Sequence, residues 1–190
     1  MADEIQPVQS RFKISYKSIF DSEVDAYVNT INCVGAMGAG IALEFKKRYP
    51  KMFQHYKEQC SKNLIRPGDC YIWHTNDTNN SHFVLGLAVK NDWRHWSTCE
   101  WLNSSIKSLK LVLLENGIKS VNLPLPGGKN GRRGPFGKVL GFTPPPERDE
   151  IKSLVTKELE SFANKFEIDI TLCLPDEAPK KPQMTLEAFL

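Results

Sequence analysis

Residues 24–49 are VDAYVNTINCVGAMGAGIALEFKKRY, and this stretch decides the fold. Residues 24–31 are largely apolar and rich in β-branched side chains, a pattern typical of a strand buried on both faces. A glycine-rich turn follows from Cys33 to Gly40. Residues 41–49 then place apolar side chains on one face and basic ones at the end, which predicts a helix that Pro50 stops. The stretch therefore predicts a strand, a turn and a helix in direct succession.

The same alternation continues on both sides of this unit. Apolar and alternating runs predict further strands at residues 11–16, 70–73, 82–89, 121–125 and 168–173. Amphipathic patterns predict further helices at residues 52–60, 97–116 and 150–166. Ser97 and Glu100 stand at capping-box spacing at the start of the long helix, and Gly117 is placed as its stop. Strands that alternate with helices predict a three-layer α/β/α sandwich with a mixed, largely parallel central sheet.

Length and composition set the outer limits. The chain has 190 residues, of which 41% are hydrophobic and 25% are charged, and its net charge is +3. This composition is typical of one globular domain, which we place at residues 11–174, after a polar lead-in at 1–10 and before a linker and tail at 175–190. A net charge this small neither predicts nor excludes a nucleic-acid partner.

The distribution of residue types also bears on location and cofactors. The first residues lack the apolar core of a signal peptide, and no apolar run reaches membrane-spanning length. We therefore expect an intracellular protein without a membrane partner, nuclear in a eukaryote and otherwise cytoplasmic. The five cysteines contain no Cys-x-x-Cys pair, and the four histidines lack metal-ligand spacing. We expect reduced thiols, no metal, no cofactor and a monomer.

The glycine turn is the first candidate binding site. Gly35, Gly38 and Gly40 lie between a buried strand and a helix N-terminus, where backbone N–H groups and the positive end of the helix dipole favour an anion. Their spacing matches neither the Rossmann fingerprint nor the Walker A loop. The glycines alone are equally compatible with a tight structural turn and with a phosphate-binding loop.

The motif around this turn, residues 25–46, resembles the macrodomain family, whose members bind ADP-ribose. Within that family it is most similar to the DarG-type DNA ADP-ribosyl glycohydrolases and the terminal ADP-ribose protein glycohydrolase. The resemblance implies that Asn32 contacts the distal ribose and that the three glycines line the pyrophosphate channel. It implies an ADP-ribose site that includes Asn29, Asn32, Cys33, Val34, Gly35, Met37, Gly38, Gly40 and Ile41.

A second match lies in residues 90–102, KNDWRHWSTCEWL, where the DarG-type enzymes also carry a lysine. The resemblance makes Lys90 the candidate catalytic residue. A lysine at the end of an apolar strand is partly desolvated, which lowers its pKa. A neutral amine could attack the anomeric carbon of an opened ribose, and a charged one could polarise the leaving base or the ribose oxygens. Without the resemblance, a lysine that only caps a strand in solvent is the ordinary interpretation.

The chain departs from the family pattern in two places. Macrodomains carry Gly-Asp-Ile after the first strand, with the aspartate on the adenine amino group, whereas this chain has Ser18 there and Asp21 out of register. The second glycine loop lacks the acidic residue of the protein glycohydrolase, a role that Asp92 or Asp149 could take. Its glycines are kept, so the resemblance adds to the ADP-ribose site Gly127, Gly128, Asn130 and Gly131.

Basic and aromatic residues flank the expected phosphate site. Trp93 and Arg94 lie on one rim, and Arg132 and Arg133 lie in the second glycine loop. Cations pair with phosphates and aromatic rings stack on bases, so this group predicts a nucleic-acid contact. The alternatives are a tryptophan that belongs to the core and an arginine pair that is only solvated.

The last residues, QMTLEAFL, resemble a peptide that binds a PCNA-type sliding clamp. Leu186, Phe189 and Leu190 fall on one face of a single helical turn, and Gln183 stands at the first position of the motif. The resemblance implies a partner in DNA replication or repair. Chance, or a last helix docked on the domain's own core, is the alternative.

Together the motifs predict an ADP-ribosyl glycohydrolase that removes ADP-ribose from nucleic acid through Lys90. Two enzymatic alternatives have protein or ADP-ribose 1″-phosphate as the substrate, and the missing acid of the second glycine loop weakens the protein version. A third alternative is a module that binds ADP-ribose or nucleic acid and cleaves neither. A panel of ADP-ribosylated DNA, ADP-ribosylated protein and ADP-ribose 1″-phosphate, tested with wild type and Lys90→Ala, discriminates among these hypotheses.

Overall fold

The computed structural model describes residues 10–75, 82–127 and 147–178. The strands are β1 (Phe12–Ser15), β2 (Ala26–Asn32), β3 (Cys70–His74), β4 (Phe83–Lys90), β5 (Ser120–Pro124) and β6 (Asp169–Cys173). The helices are α1 (Gly40–Arg48), α2 (Pro50–Ser61), α3 (Cys99–Glu115) and α4 (Arg148–Phe166), and a 3₁₀ turn follows at Pro175–Glu177. The predicted order of elements is confirmed, with each bound within about two residues of the prediction. No helix in these ranges is both long enough and apolar enough to cross a bilayer.

The six strands form one sheet in the order β1-β6-β5-β2-β4-β3. All neighbouring pairs are parallel except β3 and β4, which run antiparallel at one edge. The predicted mixed, largely parallel sheet is confirmed. Because parallel strands point the same way, the carboxyl ends of β2, β4, β5 and β6 meet at one edge of the sheet, where ligands bind in folds of this type.

Helices cover both faces of the sheet and complete the three layers. On one face, α3 and α4 enclose a core that includes Phe12, Leu85, Leu109, Val121 and Leu159. On the other face, α1 and α2 enclose a second core that includes Tyr27, Phe45, Met52, Tyr56 and Val84. The alternation of side chains along each strand sends successive residues to the two cores, as a sheet buried on both faces requires. The three-layer α/β/α sandwich is confirmed.

The N-terminus of α3 differs from the prediction. Thr98, not Ser97, is the N-cap residue, and its hydroxyl accepts a hydrogen bond from the backbone N–H of Trp101 at 3.2 Å. The predicted capping box is wrong because Ser97 is buried and the first helical turn begins only at Cys99. The predicted stop is confirmed, since Gly117 has a φ of +63°, the left-handed conformation that glycine favours after a helix.

Candidate functional site

A cavity of about 890 Å³ opens at the carboxyl ends of β2, β4, β5 and β6, under the N-terminus of α1. Two strands, β5 and β2, separate β6 from β4 in the sheet. Three strand spacings place the ends of β4 and β6 about 14 Å apart. The cavity therefore has a lysine end, which we define by Asn32, Lys90 and Trp93, and an aspartate end, which we define by Ser18, Arg148 and Asp176.

The structure brings part of the predicted binding set into the cavity wall. The predicted residues that line it are Asn32, Gly38, Gly40, Ile41 and Gly127. Asn29 and Met37 are buried instead, with the amide nitrogen of Asn29 3.8 Å from the sulfur of Met37. Cys33, Val34 and Gly35 continue the chain from Asn32 outside the cavity lining. Gly128, Asn130 and Gly131 lie outside the described residues.

The Asn32 side chain forms hydrogen bonds with the backbone of the first glycine loop. Its side-chain oxygen accepts hydrogen bonds from the backbone N–H groups of Val34 and Ala36, both at 3.1 Å. Its side-chain nitrogen donates to the carbonyl of Ala36 at 2.7 Å. The hydroxyl of the buried Tyr56 donates to the Asn32 carbonyl at 2.6 Å. One buried amide therefore fixes the path of the loop that leads to α1.

The N-terminus of α1 is suited to an anion. Ala39 stands at the N-cap position and has no side-chain acceptor, and the first turn contains no acidic residue. Gly40 has a φ of +55°, so the chain turns into the helix in a conformation that few other residues adopt. The backbone N–H groups of a first helical turn and the positive end of the dipole attract phosphate. The loop geometry supports the phosphate-binding interpretation over a purely structural turn.

Lys90 ends β4 in the cavity wall. The residue is only 7% exposed, and it lies opposite Asn32 in the register of the two strands. Burial lowers the pKa of Lys90 from its ordinary 10.5 to about 8, against the opposing effect of the Asp92 carboxylate. Near neutral pH the amine is therefore available in both protonation states, which an ordinary lysine is not.

Two contacts join the lysine to the glycine loop. The backbone N–H of Cys33 donates to the carbonyl of Asn91 at 2.9 Å, and the Cys33 thiol lies 3.3 Å from the carbonyl of Lys90. Burial raises the pKa of that thiol to about 12, so Cys33 remains a protonated thiol and not a nucleophile. Among the described residues at this end of the cavity, Lys90 carries an amine whose pKa is lowered toward neutrality.

Asp92 and Asp149 were the two candidates for the missing catalytic carboxylate. Asp92 is already hydrogen-bonded to Arg94, and Asp149 lies outside the cavity lining. Asp92 is buried and accepts three hydrogen bonds from Arg94, from its backbone N–H at 2.9 Å, its Nε at 2.9 Å and its Nη2 at 2.6 Å. The bonds to Arg94 hold the pKa of Asp92 at about 2, so it remains ionised and is a poor proton acceptor. Asp149 is exposed in the first turn of α4 and does not line the cavity.

At the aspartate end, the resemblance indicated Ser18, whereas Arg148 and Asp176 were not predicted from the sequence. Ser18 and Ile19 line this end, but the Asp21 carboxylate accepts a hydrogen bond from the backbone N–H of Ser18 at 2.9 Å and is held in that turn. The acidic side chain at this end is Asp176, whose carboxylate lies 3.1 Å from Nη2 of Arg148. Pro175 and Asp176, assigned to the linker by composition, thus belong to the cavity wall.

Of the predicted nucleic-acid residues, the structure describes Trp93 and Arg94. Trp93 lines the mouth of the cavity and is 54% exposed, so it is not a core residue. The Arg94 guanidinium lies 5.8 Å from the centre of the Trp93 ring. Outside the described residues lie Arg132, Arg133 and the predicted clamp-binding residues Gln183, Leu186, Phe189 and Leu190.

Within residues 10–75, 82–127 and 147–178, no group of three or more histidine, cysteine or acidic residues could hold a metal ion. The cysteines at positions 33, 60, 70, 99 and 173 are free thiols.

A protein-family model described as Macro domain matches residues 28–129. A relative from Mycobacterium tuberculosis (strain ATCC 25618 / H37Rv), named DNA ADP-ribosyl glycohydrolase, is 35% identical over 120 residues, which cover 62% of this chain and 34% of the relative. A relative of the same name from Thermus aquaticus is 28% identical over 163 residues, which cover 86% of this chain and 41% of the relative. The chain thus spans between about a third and two fifths of these relatives.

A solved structure shares the arrangement of elements. The macrodomain of Mycobacterium tuberculosis DarG matches with a TM-score of 0.69 at 28% sequence identity, covering 84% of this chain and 96% of that chain. This structural match covers a larger share of the chain than residues 28–129 do.

Proposed function

Because this chain belongs to the Macro domain family, we propose that it is an ADP-ribosyl glycohydrolase that removes ADP-ribose from modified DNA. The observation that carries the proposal is the buried Lys90 amine, with its lowered pKa, in the wall of a cavity that also holds the N-terminus of α1. The name DNA ADP-ribosyl glycohydrolase, carried by the relatives from Mycobacterium tuberculosis and Thermus aquaticus, supports this choice of substrate.

ADP-ribose would lie along the cavity, between its lysine end and its aspartate end. The pyrophosphate would bind at the N-terminus of α1, where the backbone N–H groups of the first turn point. The adenosine would lie at the aspartate end and the distal ribose at the lysine end, beside Asn32. The second glycine loop, which begins at Gly127, would close the channel from the β5 side.

The proposed chemistry uses the neutral form of Lys90. The amine forms a bond to C1″ of the distal ribose while the bond from C1″ to the DNA base breaks, and the proton lost by the amine goes to the departing base. Water then hydrolyses the lysine adduct, which releases ADP-ribose and regenerates the amine. The Asp92 carboxylate, ionised and held by Arg94, would favour the positive charge that develops on the Lys90 nitrogen as its bond to C1″ forms and before its proton passes to the base.

A substrate panel tests the proposal. Wild type and Lys90→Ala would be incubated with an ADP-ribosylated single-stranded oligonucleotide, an ADP-ribosylated protein and ADP-ribose 1″-phosphate. We expect turnover of the oligonucleotide and a loss of at least roughly 1000-fold in kcat for Lys90→Ala. Lys157→Ala, an exposed lysine on α4, is the matched control and should retain full activity. Absence of turnover for every substrate would contradict the enzymatic function, and turnover unaffected by Lys90→Ala would contradict the mechanism.

A non-catalytic ADP-ribose-binding module is the second candidate. It is favoured by the hydrogen bonding of Asp92, because the carboxylate two residues after Lys90 is fully engaged by Arg94 and is not available as a general base. Tight binding of ADP-ribose by wild type, together with no turnover of the three substrates, would select this module.

We also propose that the C-terminal peptide recruits the protein to a PCNA-type sliding clamp at sites of DNA replication or repair, in the nucleus where the host is a eukaryote. The support is the spacing of Gln183, Leu186, Phe189 and Leu190 in the sequence. Replacing Phe189 and Leu190 with alanine should abolish clamp binding in a pull-down or calorimetric measurement and leave hydrolase activity intact. Unchanged clamp affinity would reject the assignment.

A further inference from the structure

Two exposed apolar side chains lie near the lysine end of the cavity: Trp93 belongs to its lining, and Val34 follows Asn32 in the glycine loop just outside that lining. Trp93 is 54% exposed and Val34 is 49% exposed, although both belong to residue types that are usually buried. They lie on two different segments, the glycine loop and the turn after β4. The hydrogen bond from Cys33 N to Asn91 O, at 2.9 Å, joins these segments one residue before Val34 and two residues before Trp93. The backbone thus ties together the two segments that carry these side chains.

Cations flank the apolar pair. Arg94 is anchored by Asp92 through Nε and Nη2, and its side chain is still 48% exposed, so the remaining N–H groups face solvent. Lys57 lies on the glycine-loop side, where a Cβ placed on Gly35 would meet its Cγ at 3.3 Å, and the residue is exposed. The neighbouring Glu58 does not neutralise it, because that carboxylate pairs with Lys62 at 2.6 Å.

We propose that Trp93 and Val34 form a nucleobase-binding site outside the cavity, and that Lys57 and Arg94 bind the phosphates on either side of that base. The proposal rests on the proposed function and names the form of its substrate, a single DNA strand with an unstacked base. Base stacking on an aromatic ring is tolerant of sequence and needs an exposed face, which a paired base in a duplex does not offer. The Lys57 ammonium complements a polyanion, and Arg94, whose charge is balanced by Asp92, contributes hydrogen-bond donors.

The position of this site follows from the chemistry at Lys90. The base that leaves from C1″ must lie just beyond the amine, on the side away from the pyrophosphate. Trp93 follows Lys90 by one short turn and lines the mouth there. A base held against Trp93 would therefore be the leaving base or its immediate neighbour on the strand.

Binding and turnover together test the inference. The first measurement is fluorescence anisotropy of a labelled, unmodified single-stranded oligonucleotide with wild type, Trp93→Ala, Trp93→Phe and Lys57→Glu. The second is KM for the ADP-ribosylated oligonucleotide, with the Kd of free ADP-ribose as reference. We expect Trp93→Ala to weaken oligonucleotide binding and to raise KM by roughly 10-fold, while Trp93→Phe retains most of the affinity. Lys57→Glu should weaken binding and flatten its dependence on salt. Duplex DNA should bind more weakly than the single strand.

Two controls make the result specific. Leu111→Ala removes an equally exposed apolar side chain on α3, and Lys157→Glu reverses a charge on α4, in the layer on the opposite face of the sheet from Lys57. Both should bind the oligonucleotide like wild type. Circular dichroism and thermal unfolding would show that each variant is folded.

Each contrary outcome has its own meaning. If Trp93→Ala and Lys57→Glu bind the oligonucleotide as wild type does, the nucleobase site is overturned even where turnover of modified DNA is intact. Equal losses for the oligonucleotide and for free ADP-ribose would assign Trp93 to the cavity alone and also overturn it. An equal rise in KM for ADP-ribosylated protein would show a general apolar contact in its place. Trp93-dependent binding of DNA without any turnover would overturn the proposed hydrolase and leave the nucleobase site standing.

Discussion

The two ends of the cavity are held by different kinds of interaction. At the lysine end, buried hydrogen bonds hold the chain in place. The Asn32 amide is hydrogen-bonded inside its own loop, and Cys33 N donates to Asn91 O. At the aspartate end, partly exposed ion pairs join Arg148 to Asp176 and Glu177. Lys152 adds a further ion pair to Glu177. Buried hydrogen bonds resist salt and are costly to break, whereas exposed ion pairs are weak and screened.

The contrast matches the demands that the proposed reaction makes on each end. Bond breaking at C1″ needs a nucleophile held in a fixed position and partly shielded from water, and the lysine end provides both. The adenosine only has to be recognised and released, so a wall closed by ion pairs is sufficient there. The predictions below test the two ends separately.

The largest effect should come from protonation of Lys90. Its pKa is lowered to about 8, so the neutral amine rises from roughly 1% at pH 6 to roughly 90% at pH 9. If the neutral amine attacks C1″, kcat/KM for the ADP-ribosylated oligonucleotide should rise about 100-fold over this range and level off above pH 8. A pH–rate profile measures this rise directly. A rate that falls above pH 8 would instead assign the catalytic role to the charged lysine.

Removing the Asn32 amide should destabilise the glycine loop at the lysine end and weaken the binding of ADP-ribose. Asn32→Ala leaves the N–H groups of Val34 and Ala36 and the carbonyl of Ala36 without their partner. We expect a loss of roughly 3 kcal/mol in the free energy of unfolding, measured by urea denaturation, and a fall of at least roughly 10-fold in ADP-ribose affinity.

An exposed asparagine provides the matched control for this loss. Asn164 accepts a single hydrogen bond, from Arg11 N at 2.9 Å, on the surface of α4. Asn164→Ala should cost less than about 1 kcal/mol. Similar costs for the two variants would contradict the assigned role of the Asn32 amide.

The same contrast explains which part of the site the sequence could predict. The glycine loop, from Asn32 to Ile41, is contiguous, so its residues and their spacing are visible in one motif. Lys90 was predicted from the resemblance of residues 90–102, and its position at the end of an apolar strand predicted the lowered pKa that burial produces. Both signals are local, and local patterns survive in a single sequence.

The aspartate end is assembled from distant segments. Ser18 and Asp176 come together because β1 pairs with β6, and Leu174 N donates to Ser15 O at 2.7 Å. The composition of residues 175–178 is typical of a linker, and it predicts neither the order of the strands nor their parallel register. The capping box at Ser97 failed for a related reason, since burial of Ser97 moved the cap by one residue. Long-range pairing decided what local propensity could not.

A smaller effect is expected at the aspartate end, where we predict that Asp176 contacts adenine and gives a preference for it. An aspartate carboxylate accepts a hydrogen bond from the exocyclic amine of adenine, and inosine carries a carbonyl at that position. Wild type should therefore bind ADP-ribose about 5-fold to 10-fold more tightly than inosine-diphosphate-ribose in calorimetry. In Asp176→Ala this preference should disappear. Glu177→Ala, which removes another partner of Arg148 outside the cavity lining, should keep it. A preference that survives in Asp176→Ala would rule out Asp176 as the adenine contact.

The smallest expected effect is a difference between the two ends in how strongly salt accelerates amide hydrogen exchange. The turn at Pro175–Glu177 is joined to α4 by ion pairs to Arg148 and Lys152, and Glu177 N donates to Leu174 O at 3.0 Å. Raising NaCl from about 0.05 to about 0.5 M screens these pairs, which are worth up to about 1 kcal/mol each. Hydrogen exchange of the Glu177 amide should then accelerate about 5-fold at most, while exchange of the Cys33 amide, bonded to Asn91 O, should not change. Equal acceleration of the two amides would mean that both ends open together, because local opening at one end alone cannot expose an amide held at the other.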